Sequence, residues 1–350
     1  MTRDDSPAPG EQPPSPEPIM RMVQGLQATA ILKTAVDLGI FDRISEGTSD
    51  ASSVAAAIGA SERGTRILLD GLAAYGLLET ADGAYRLSPL ADAYLVSGRP
   101  VYLGGSTQIM ASDWAWRFWA DLPEAVRHGG TVLEDHAETP GHEFWEIFAP
   151  ASTGLARPAS KALAELLAPW AHARDEIDVL DVACGSGLYS LTFAAGQPHA
   201  RVTLLDWANV LALTQANVER LGLASRTSVI EGDVFTVPLG GPYDLVVASH
   251  IFHHFSEDRC VELLERLAGA LKPDGRLAIN EFTALSDRPE EDPVPYLFSV
   301  LMLAWTREGE AYPVSTYRRL LDAAGFGTPE IHQSPGMTTR FVIADRRSGA

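Results

Sequence analysis

The sequence predicts two folded parts, a mainly α-helical N-terminal domain and a C-terminal α/β domain with a doubly wound, mostly parallel sheet. Between residues 19 and 75, apolar residues recur at helical spacing, and a turn flanked by two short strand-like runs follows. From Ile177 onward, short apolar runs alternate with helical stretches, which is typical of a parallel sheet with helices on both faces. The 350 residues leave room for both domains.

The first 18 residues are rich in proline and polar side chains, so they cannot bury enough apolar surface to offset the entropy of ordering. We therefore expect residues 1–18 to form a disordered tail. The helical domain is expected over residues 19–100. A helical linker that contributes to a substrate pocket is expected over residues 101–165, and the α/β domain over residues 166–350.

Residues 19–100 have the pattern of a winged helix. Three glycines end successive apolar helical stretches: Gly39, Gly59 and Gly76. Ser61 is a candidate N-cap for the third stretch, and residues 81–83 form a turn between two strand-like runs, which predicts a hairpin. Winged helices bind DNA or make dimers. The helix that would read DNA mixes acidic and basic side chains, which favours dimerisation.

Residues 101–165 carry two groups of aromatic residues. The first comprises Trp114, Trp116, Phe118 and Trp119, and the second comprises Phe144, Trp145 and Phe148. Two interpretations are open for them: core packing, or the walls of a pocket for an aromatic or otherwise apolar substrate. Both interpretations can hold for different rings.

The α/β domain is expected to alternate strands with helices. The predicted strands are 177–182, 201–205, 227–230, 244–249, 276–280 and 339–344. The predicted helices are 188–195, 210–221, 258–271 and 315–324. In a doubly wound sheet, ligands bind at the carboxyl ends of the strands, so the residues that follow each strand are the candidates for chemistry.

The composition disfavours several functions. A net charge of −19 repels phosphate backbones and argues against a nucleic-acid partner. No stretch has the run of about 20 apolar residues that a membrane helix needs, and no secretory signal precedes the first helix. The cysteines, Cys184 and Cys260, make no disulfide framework, so we expect a cytoplasmic protein.

The first predicted strand ends in a glycine-rich loop. The run from Asp181 to Gly187 includes Gly185, and both glycines let the backbone turn tightly and approach a ligand closely. The following helix offers free N–H groups to an anion. Because Ser190 occupies the third position of the dinucleotide glycine motif, a smaller anion such as a carboxylate fits better than a pyrophosphate.

Two further strand ends complete a nucleoside site. Asp206 ends the second strand, about 20 residues after the glycine loop, where an acid accepts both ribose hydroxyls of an adenosine. The third strand leads into residues 231–235, where Asp233 can accept from an adenine amino group. The residues assigned to the cofactor site are Asp181, Gly185, Gly187, Asp206, Trp207, Gly232, Asp233, Val234, Phe235 and Ser249. Among them, Trp207, Val234 and Phe235 supply rings and apolar surface for the adenine.

This order of motifs resembles the class I S-adenosylmethionine-dependent methyltransferases. The resemblance implies a Rossmann-like domain and S-adenosylmethionine as the cofactor. It also implies that Gly185 and Gly187 line the methionine part, that Asp206 holds the ribose and that Asp233 holds the adenine amine.

The catalytic candidates follow the fourth and fifth predicted strands. His250, His253 and His254 come after the fourth strand, and Glu281 ends the fifth. With the sequence around them, they resemble the small-molecule O-methyltransferases of plant and bacterial secondary metabolism. That resemblance covers about residues 19–345 and implies a homodimer, with His253 as general base and Glu281 orienting it. A further glutamate of the family is loosely matched by Glu310.

The chemistry agrees with this assignment. A sulfonium methyl group is already activated, so the enzyme must align the acceptor and remove a proton from a weakly acidic hydroxyl. A histidine suits that task, and a carboxylate on its other ring nitrogen would set the tautomer and stabilise the imidazolium. We therefore expect an enzyme that transfers a methyl group to a hydroxyl of an aromatic or polyketide-like small molecule.

Departures from the family pattern leave alternatives open. His254 and Phe255 replace an aspartate and a tryptophan of the motif. The clustered histidines with Glu281 could bind a metal, as in a related branch that methylates carbon next to a carbonyl, although no metal ligand is assigned. Two alternatives remain. The protein could be a relative that binds S-adenosylmethionine without methylating, or a ligand-sensing regulator that binds DNA.

Overall fold

The computed structural model describes residues 14–333 and 337–347, and the chain forms two compact units, Met1–Thr107 and Gln108–Ala350. Most of the predicted tail, residues 1–13, lies outside the described residues. The first helix begins at Glu17, so the last two residues assigned to the tail, Glu17 and Pro18, belong to that helix. No helix in the described ranges has the length and apolarity to cross a membrane.

The N-terminal unit has helices followed by a hairpin, as predicted, and two short helices that the sequence did not predict, Ile40–Ser45 and Pro89–Tyr94. Its elements are α1 (Glu17–Asp37), α2 (Ile40–Ser45), α3 (Ala51–Ile58), α4 (Glu62–Ala74), β1 (Leu78–Ala81), β2 (Ala84–Leu87) and α5 (Pro89–Tyr94). Ser61 caps α4 as expected, because its Oγ accepts a hydrogen bond from the N–H of Gly64. Gly39 and Gly59 are left-handed, which stops one helix and redirects the chain at each point. Buried Phe41, Leu69 and Leu72 form part of this unit's core.

Helices also precede the large sheet. They are α6 (Gly105–Met110), α7 (Asp113–Ala120), α8 (Leu122–His128), α9 (Phe144–Ala151) and α10 (Thr153–Ala171). The two aromatic groups of the sequence merge into one cluster here, because the Trp114 ring lies 5.3 Å from Phe144 and 5.0 Å from Phe118. These three rings are buried, so core packing accounts for them.

The α/β domain contains a mostly parallel sheet, as the sequence predicts, but with seven strands where the sequence predicts six. Its strands are β3 (Ile177–Val182), β4 (Ala200–Asp206), β5 (Thr227–Glu231), β6 (Tyr243–Ser249), β7 (Leu271–Glu281), β8 (Glu330–His332) and β9 (Arg340–Asp345). The strand order is β5-β4-β3-β6-β7-β9-β8, and β9 runs antiparallel to both of its neighbours. The helices between them are α11 (Leu188–Gly196), α12 (Ala208–Arg220), α13 (Glu257–Ala270), α14 (Pro293–Trp305) and α15 (Val314–Ala323).

The sheet is buried on both faces, which its alternating residues show directly. In β3, Ile177 and Val179 belong to the core that includes α10 and α11, whereas Leu180 and Val182 belong to the core that includes α13 and α15. Strand side chains alternate between faces, so one strand serves both cores. The chain moves outward from β3 to β5 and then returns to β6 on the other side of β3. The carboxyl ends of β3 and β6 therefore flank the crevice where such sheets bind ligands.

Three elements of the α/β domain differ from the sequence prediction. Strand β7 begins at Leu271 rather than residue 276, because Leu271 pairs with Tyr243 before the register shifts at Leu245. The short strand β8 was not predicted, since pairing with β9 rather than any apolar pattern defines it. Helix α14 was also not predicted.

Candidate active site

The loop between β3 and α11 has the conformation expected of a ligand-binding loop. Ala183, Gly185 and Gly187 have φ values of +49°, +54° and +69°, the left-handed region that glycine adopts readily. A Cβ added to Gly185 would meet no atom within 4 Å, so the loop has open space on that side. At Gly187 the same Cβ would lie 2.8 Å from Thr214 and 2.9 Å from Leu191. Gly185 therefore faces open space, whereas a side chain at Gly187 would press against Thr214 and Leu191.

Asp206 connects the end of β4 to this loop. Its Oδ2 accepts a hydrogen bond from the N–H of Gly185 at 2.8 Å, and its Oδ1 accepts one from the N–H of Trp207 at 2.7 Å. Burial raises the pKa of Asp206 to about 6. Each carboxylate oxygen accepts more than one hydrogen bond, so the group can still bind a pair of hydroxyls.

Asp181 lies beneath the loop rather than in open space. Its Oδ2 accepts a hydrogen bond from Oγ of Ser190 at 2.5 Å, and its side chain is fully buried. That burial raises the pKa of Asp181 to about 7. Because Ser190 is in the first turn of α11, this contact holds the start of the helix against the end of β3.

The residues after β5 lie next to Asp206. The N–H of Gly232 donates to the carbonyl of Asp206 at 3.0 Å, and Oδ1 of Asp233 accepts from the N–H of Phe235 at 2.9 Å. That second bond closes a turn which buries Val234. The guanidinium of Arg259 lies 3.7 Å from the centre of the Phe235 ring, so one face of the ring is covered.

Trp207 and Ser249 complete the residues assigned to the cofactor. Trp207 is the half-buried N-cap residue of α12, directly after Asp206. Oγ of Ser249, at the end of β6, is buried and has no hydrogen-bond partner among the described residues. Oδ1 of Asn280, the residue paired with Ser249 in the sheet, is also buried and unpartnered in the same part of the chain. Buried polar atoms are nearly always hydrogen-bonded, so this pair indicates a site for a polar ligand.

His253 and Glu281 form a close buried pair. Nδ1 of His253 lies 2.6 Å from Oε2 of Glu281, and Oε1 of Glu281 accepts from the N–H of Phe252 at 3.0 Å. The fold creates this contact because β6 and β7 are parallel neighbours, and Ser249 pairs with Asn280. The residues that follow each strand therefore lie at one edge of the sheet, with His253 in the 3₁₀ turn Phe252–His254.

Burial sets the protonation of this pair. It raises the pKa of Glu281 and lowers the pKa of His253, because charge on either group is costly away from water. The imidazole is therefore neutral at rest. Nε2 of His253 has no hydrogen-bond partner in the ranges that the structure describes, which leaves it free to accept a proton.

His250 contacts the same pair from the end of β6. Its Nδ1 lies 4.0 Å from Oε2 of Glu281, and its Nε2 lies 3.0 Å from the amide nitrogen of Asn280. The hydroxyl of Tyr189 is 3.4 Å from the same Nε2 and accepts from the Asn280 amide at 2.8 Å. Tyr189 was not among the residues predicted from the sequence, although its position at the start of the helix after the glycine loop was a usable signal.

Aromatic rings surround His253 and His254. The Phe298 ring lies 4.9 Å from His253 and stacks on Phe282 at 4.0 Å, while Trp145 lies 5.6 Å from His254. Phe282 and Phe298 were also missed. Phe282 directly follows Glu281 at a strand end, which was a signal, whereas nothing in the sequence pointed to Phe298.

His254 and Glu310 do not join the His253–Glu281 pair. The His254 ring is buried among aromatic side chains, and its Nδ1 has no partner among the described residues. Glu310 is exposed and makes no hydrogen bond to either histidine within the described ranges. Its neighbour Gly309 packs against the backbone of His253, so the segment is close although the Glu310 side chain is not in the pair.

A metal ion is the alternative occupant of this site. One ligand atom from each of His250, His253 and Glu281 lies within 4.8 Å of the others. The separation of 2.6 Å between His253 and Glu281 is the length of a charge-assisted hydrogen bond, so the carboxylate is already engaged. The geometry favours a hydrogen-bonded pair over a metal centre.

Comparison with known proteins identifies the family. Residues 161–327 match the O-methyltransferase domain, and residues 20–97 match the O-methyltransferase dimerisation domain. A 3-hydroxy-5-methyl-1-naphthoate 3-O-methyltransferase of Streptomyces sahachiroi is 31% identical, over 87% of this chain and 87% of that protein.

Solved structures agree with this match. A crystal structure described as an O-methyltransferase from Nostoc punctiforme superposes with a TM-score of 0.89 at 31% identity, covering 95% of this chain and all of that one. Human N-acetylserotonin methyltransferase, solved in complex with S-adenosylmethionine, has the same fold, with a TM-score of 0.77 at 24% identity over 97% of this chain and 100% of that one. The chain therefore belongs to the S-adenosylmethionine-dependent O-methyltransferases, and it joins their catalytic domain to their dimerisation domain.

Proposed function

We propose that this enzyme methylates a hydroxyl group of an aromatic or polyketide-like small molecule, with His253 as the general base. The observation that carries the proposal is the buried hydrogen bond of 2.6 Å between His253 and Glu281 at the carboxyl ends of β6 and β7. The naphthoate-methylating relative acts on a hydroxyl of a fused aromatic ring, which supports this class of acceptor.

The residues near the crevice fit S-adenosylmethionine. When bound, this cofactor supplies a methyl group that its sulfonium has already activated. Open space at Gly185 and the N-terminus of α11 suit the methionine carboxylate, and Asp206 suits the ribose hydroxyls. Asp233, which follows β5, would accept from the adenine amine. The unpartnered Oγ of Ser249 would gain a partner from the bound molecule.

His253 removes the proton of the acceptor hydroxyl. Glu281 holds the Nδ1 proton, so the lone pair of Nε2 is available for that proton. As the imidazole becomes charged, the carboxylate stabilises it, which is the role that acids play in other His–carboxylate pairs. Phe282 and Phe298 lie beside His253 and offer flat apolar surfaces against which an aromatic acceptor can pack.

Dimerisation is part of the same proposal. The N-terminal unit matches the family's dimerisation domain, and α1 carries a row of exposed apolar side chains: Ile19, Met20, Met22, Val23 and Leu26. Ile19, Met22, Val23 and Leu26 recur at the i, i+3, i+4 and i+7 spacing, so they form one apolar stripe, and Met20 lies beside it. We infer that a second copy of this chain covers the stripe. The mixed charge of α4 and the net charge of −19 give DNA no comparable surface.

Carbon methylation is a second candidate, since His250, His253 and Glu281 bring metal-ligand atoms within 4.8 Å of one another. One experiment separates the two. The enzyme, purified without a metal-affinity tag, is incubated with S-adenosylmethionine and a panel of phenols, hydroxynaphthoates and α-keto acids. Release of S-adenosylhomocysteine with the hydroxyaromatic compounds supports the proposal, and release only with the keto acids contradicts it.

The His253→Ala variant tests the base in the same assay. We expect turnover to fall by roughly 10²- to 10⁴-fold, which is the usual contribution of general acid–base catalysis. His332→Ala, which changes a histidine in β8, is the matched control. Undiminished turnover in His253→Ala would rule out the assigned base.

A further inference from the structure

The stacked rings beside His253 belong to two different segments of the chain. Phe282 directly follows β7, and Phe298 lies in the second turn of α14. Their ring centres are 4.0 Å apart, and their planes differ by 20°. Residues 283–292 connect the two segments without a helix or a strand. The Phe282–Phe298 stack therefore depends on what holds the two ends of this connection together.

The guanidinium of Arg340 contacts both ends of the connection. Its Nη1 donates to the carbonyl oxygen of Thr283, the residue after Phe282. Its Nη2 lies 2.9 Å from Oδ2 of Asp292, the N-cap residue of α14. Arg340 therefore joins the segment that carries Phe282 to the helix that carries Phe298.

The backbone of Arg340 is itself fixed by the sheet. Arg340 begins β9 and pairs with Glu281, the last residue of the antiparallel strand β7. Oδ2 of Asp292 also accepts a hydrogen bond from the N–H of Leu285 at 3.0 Å, which orients the carboxylate. The start of α14 is therefore tied to the sheet at a point one residue away from Phe282.

The ion pair between Arg340 and Asp292 is largely buried. The exposed fraction is 7% for the Arg340 side chain and 17% for that of Asp292. Nε of Arg340 is also buried and has no hydrogen-bond partner within residues 14–333 and 337–347. Buried ion pairs add little net stability, because the loss of hydration offsets the attraction, and an unpartnered donor increases that loss. The pair is therefore better suited to fixing geometry than to stabilising the fold.

We propose that Arg340 is a positioning residue of the acceptor site. By joining β7 to the start of α14, it sets the position of the Phe282–Phe298 stack beside His253. The proposal rests on the proposed function, in which these rings pack against the acceptor. Arg340 acts through the two phenylalanines and takes no part in methyl transfer. A fused-ring acceptor covers more of the stack than a single ring does, so it depends more on Arg340.

Crystal structures of two variants test the position of the stack directly. In Arg340→Met, the separation of the Phe282 and Phe298 ring centres should increase by about 1 Å or more, a displacement large enough to impair an active site. The matched control is Arg276→Met, because Arg276 pairs with Asp345 at the opposite end of β7 and β9, with Nε and Oδ1 2.7 Å apart. That control should keep the wild-type separation. An unchanged stack in Arg340→Met would overturn the proposal.

Calorimetry of acceptor binding tests the effect on specificity. The full-length enzyme is saturated with S-adenosylhomocysteine and titrated with a hydroxynaphthoate or with phenol. Arg340→Met should weaken hydroxynaphthoate binding roughly tenfold and phenol binding less, because the larger compound loses more contact area. Arg340→Lys should behave in the same way, since an ammonium keeps the charge but lacks the planar fork that spans both contacts. Equal weakening for the two compounds, or wild-type binding in Arg340→Lys, would contradict the assigned role.

A double variant separates position from stability. Arg340→Met alone leaves the carboxylate of Asp292 without its partner, so the Tm should fall. Adding Asp292→Asn removes the second charge, so most of the Tm should return. Hydroxynaphthoate binding should stay weak in the double variant, because the bridge is still missing. Recovery of binding together with the Tm would show that Arg340 acts only on stability, and the proposal would then be wrong.

Steady-state kinetics distinguishes this proposal from the proposed function. In Arg340→Met, KM for hydroxynaphthoate should rise while kcat stays within about twofold, because the His253–Glu281 pair is untouched. A fall in kcat at unchanged KM would contradict the positioning role. Wild-type enzyme that transfers no methyl group to any hydroxyaromatic compound would instead refute the proposed function. The separation of the rings in the Arg340→Met crystal structure would still decide whether Arg340 positions the stack.

Discussion

Oδ2 of Asp206 accepts a hydrogen bond of 2.8 Å from the N–H of Gly185, so the acid at the end of β4 holds the glycine loop that follows β3. Asp206 thus connects the glycine loop after β3 with the end of β4, and both are assigned to the cofactor site. Its second oxygen is tied to the N–H of Trp207. The carboxylate is therefore fixed in orientation before any ligand arrives, which lowers the entropic cost of binding.

Asp206→Asn should weaken S-adenosylmethionine binding by at least tenfold. The amide keeps the size of the side chain, but it replaces one acceptor oxygen with a donor and removes the charge that favours hydrogen bonds from the ribose hydroxyls. Isothermal titration calorimetry measures the change. Asp175→Asn, at an exposed position, is the control. Wild-type affinity in Asp206→Asn would contradict the assigned role.

Gly185→Ala and Gly187→Ala should separate ligand binding from stability. Both alanines must adopt positive φ, which costs roughly 1–2 kcal/mol, but only the Cβ at Gly187 meets Thr214 and Leu191 at less than 3 Å. We expect Gly187→Ala to lower the Tm more. Gly185→Ala should weaken cofactor binding, because its Cβ enters the open space beside the loop. Thermal denaturation and calorimetry on both variants test this, and equal loss of Tm would argue against it.

Activity should depend on the protonation of Glu281. Burial raises the pKa of Glu281 to about 7, so below that pH the group becomes protonated and no longer accepts the Nδ1 proton of His253. We therefore expect kcat/KM to increase with pH through about 7 and then to level off. In Glu281→Gln, activity should be low and this inflection absent. A wild-type profile that is flat between about pH 6 and 8 would exclude this role for Glu281.

Charge on the exposed face of α1 should dissociate the proposed homodimer. Met22 and Leu26 lie one helical turn apart and are 82% and 64% exposed, so glutamate at both positions would place charge inside an apolar interface. Light scattering after size exclusion should change from twice 37.6 kDa to 37.6 kDa. The control replaces Leu213 with glutamate, an exposed residue in α12. A double variant that stays dimeric would place the interface elsewhere.

The sequence alone determined the fold class, the cofactor motifs and the residues after each parallel strand. These follow from local rules: apolar periodicity sets helices and strands, and parallel strands present their carboxyl ends at one edge. For this reason His253 and Glu281 could be expected at one edge of the sheet before the structure was known, although 28 positions separate them. Their pairing as base and orienting acid was implied by the resemblance to the small-molecule O-methyltransferases.

Only the tertiary structure decided which neighbours complete the site. The contact of Tyr189 with His250 and the placement of Phe298 beside His253 depend on how helices pack on the sheet, and no local pattern encodes that. The exposure of Glu310 depends on the path of the segment after α14, where a shift of one residue changes the direction of a side chain. The strained backbone of His250 likewise arises from its hydrogen bond to Asn280 in a neighbouring strand, a contact that exists only once the sheet has formed.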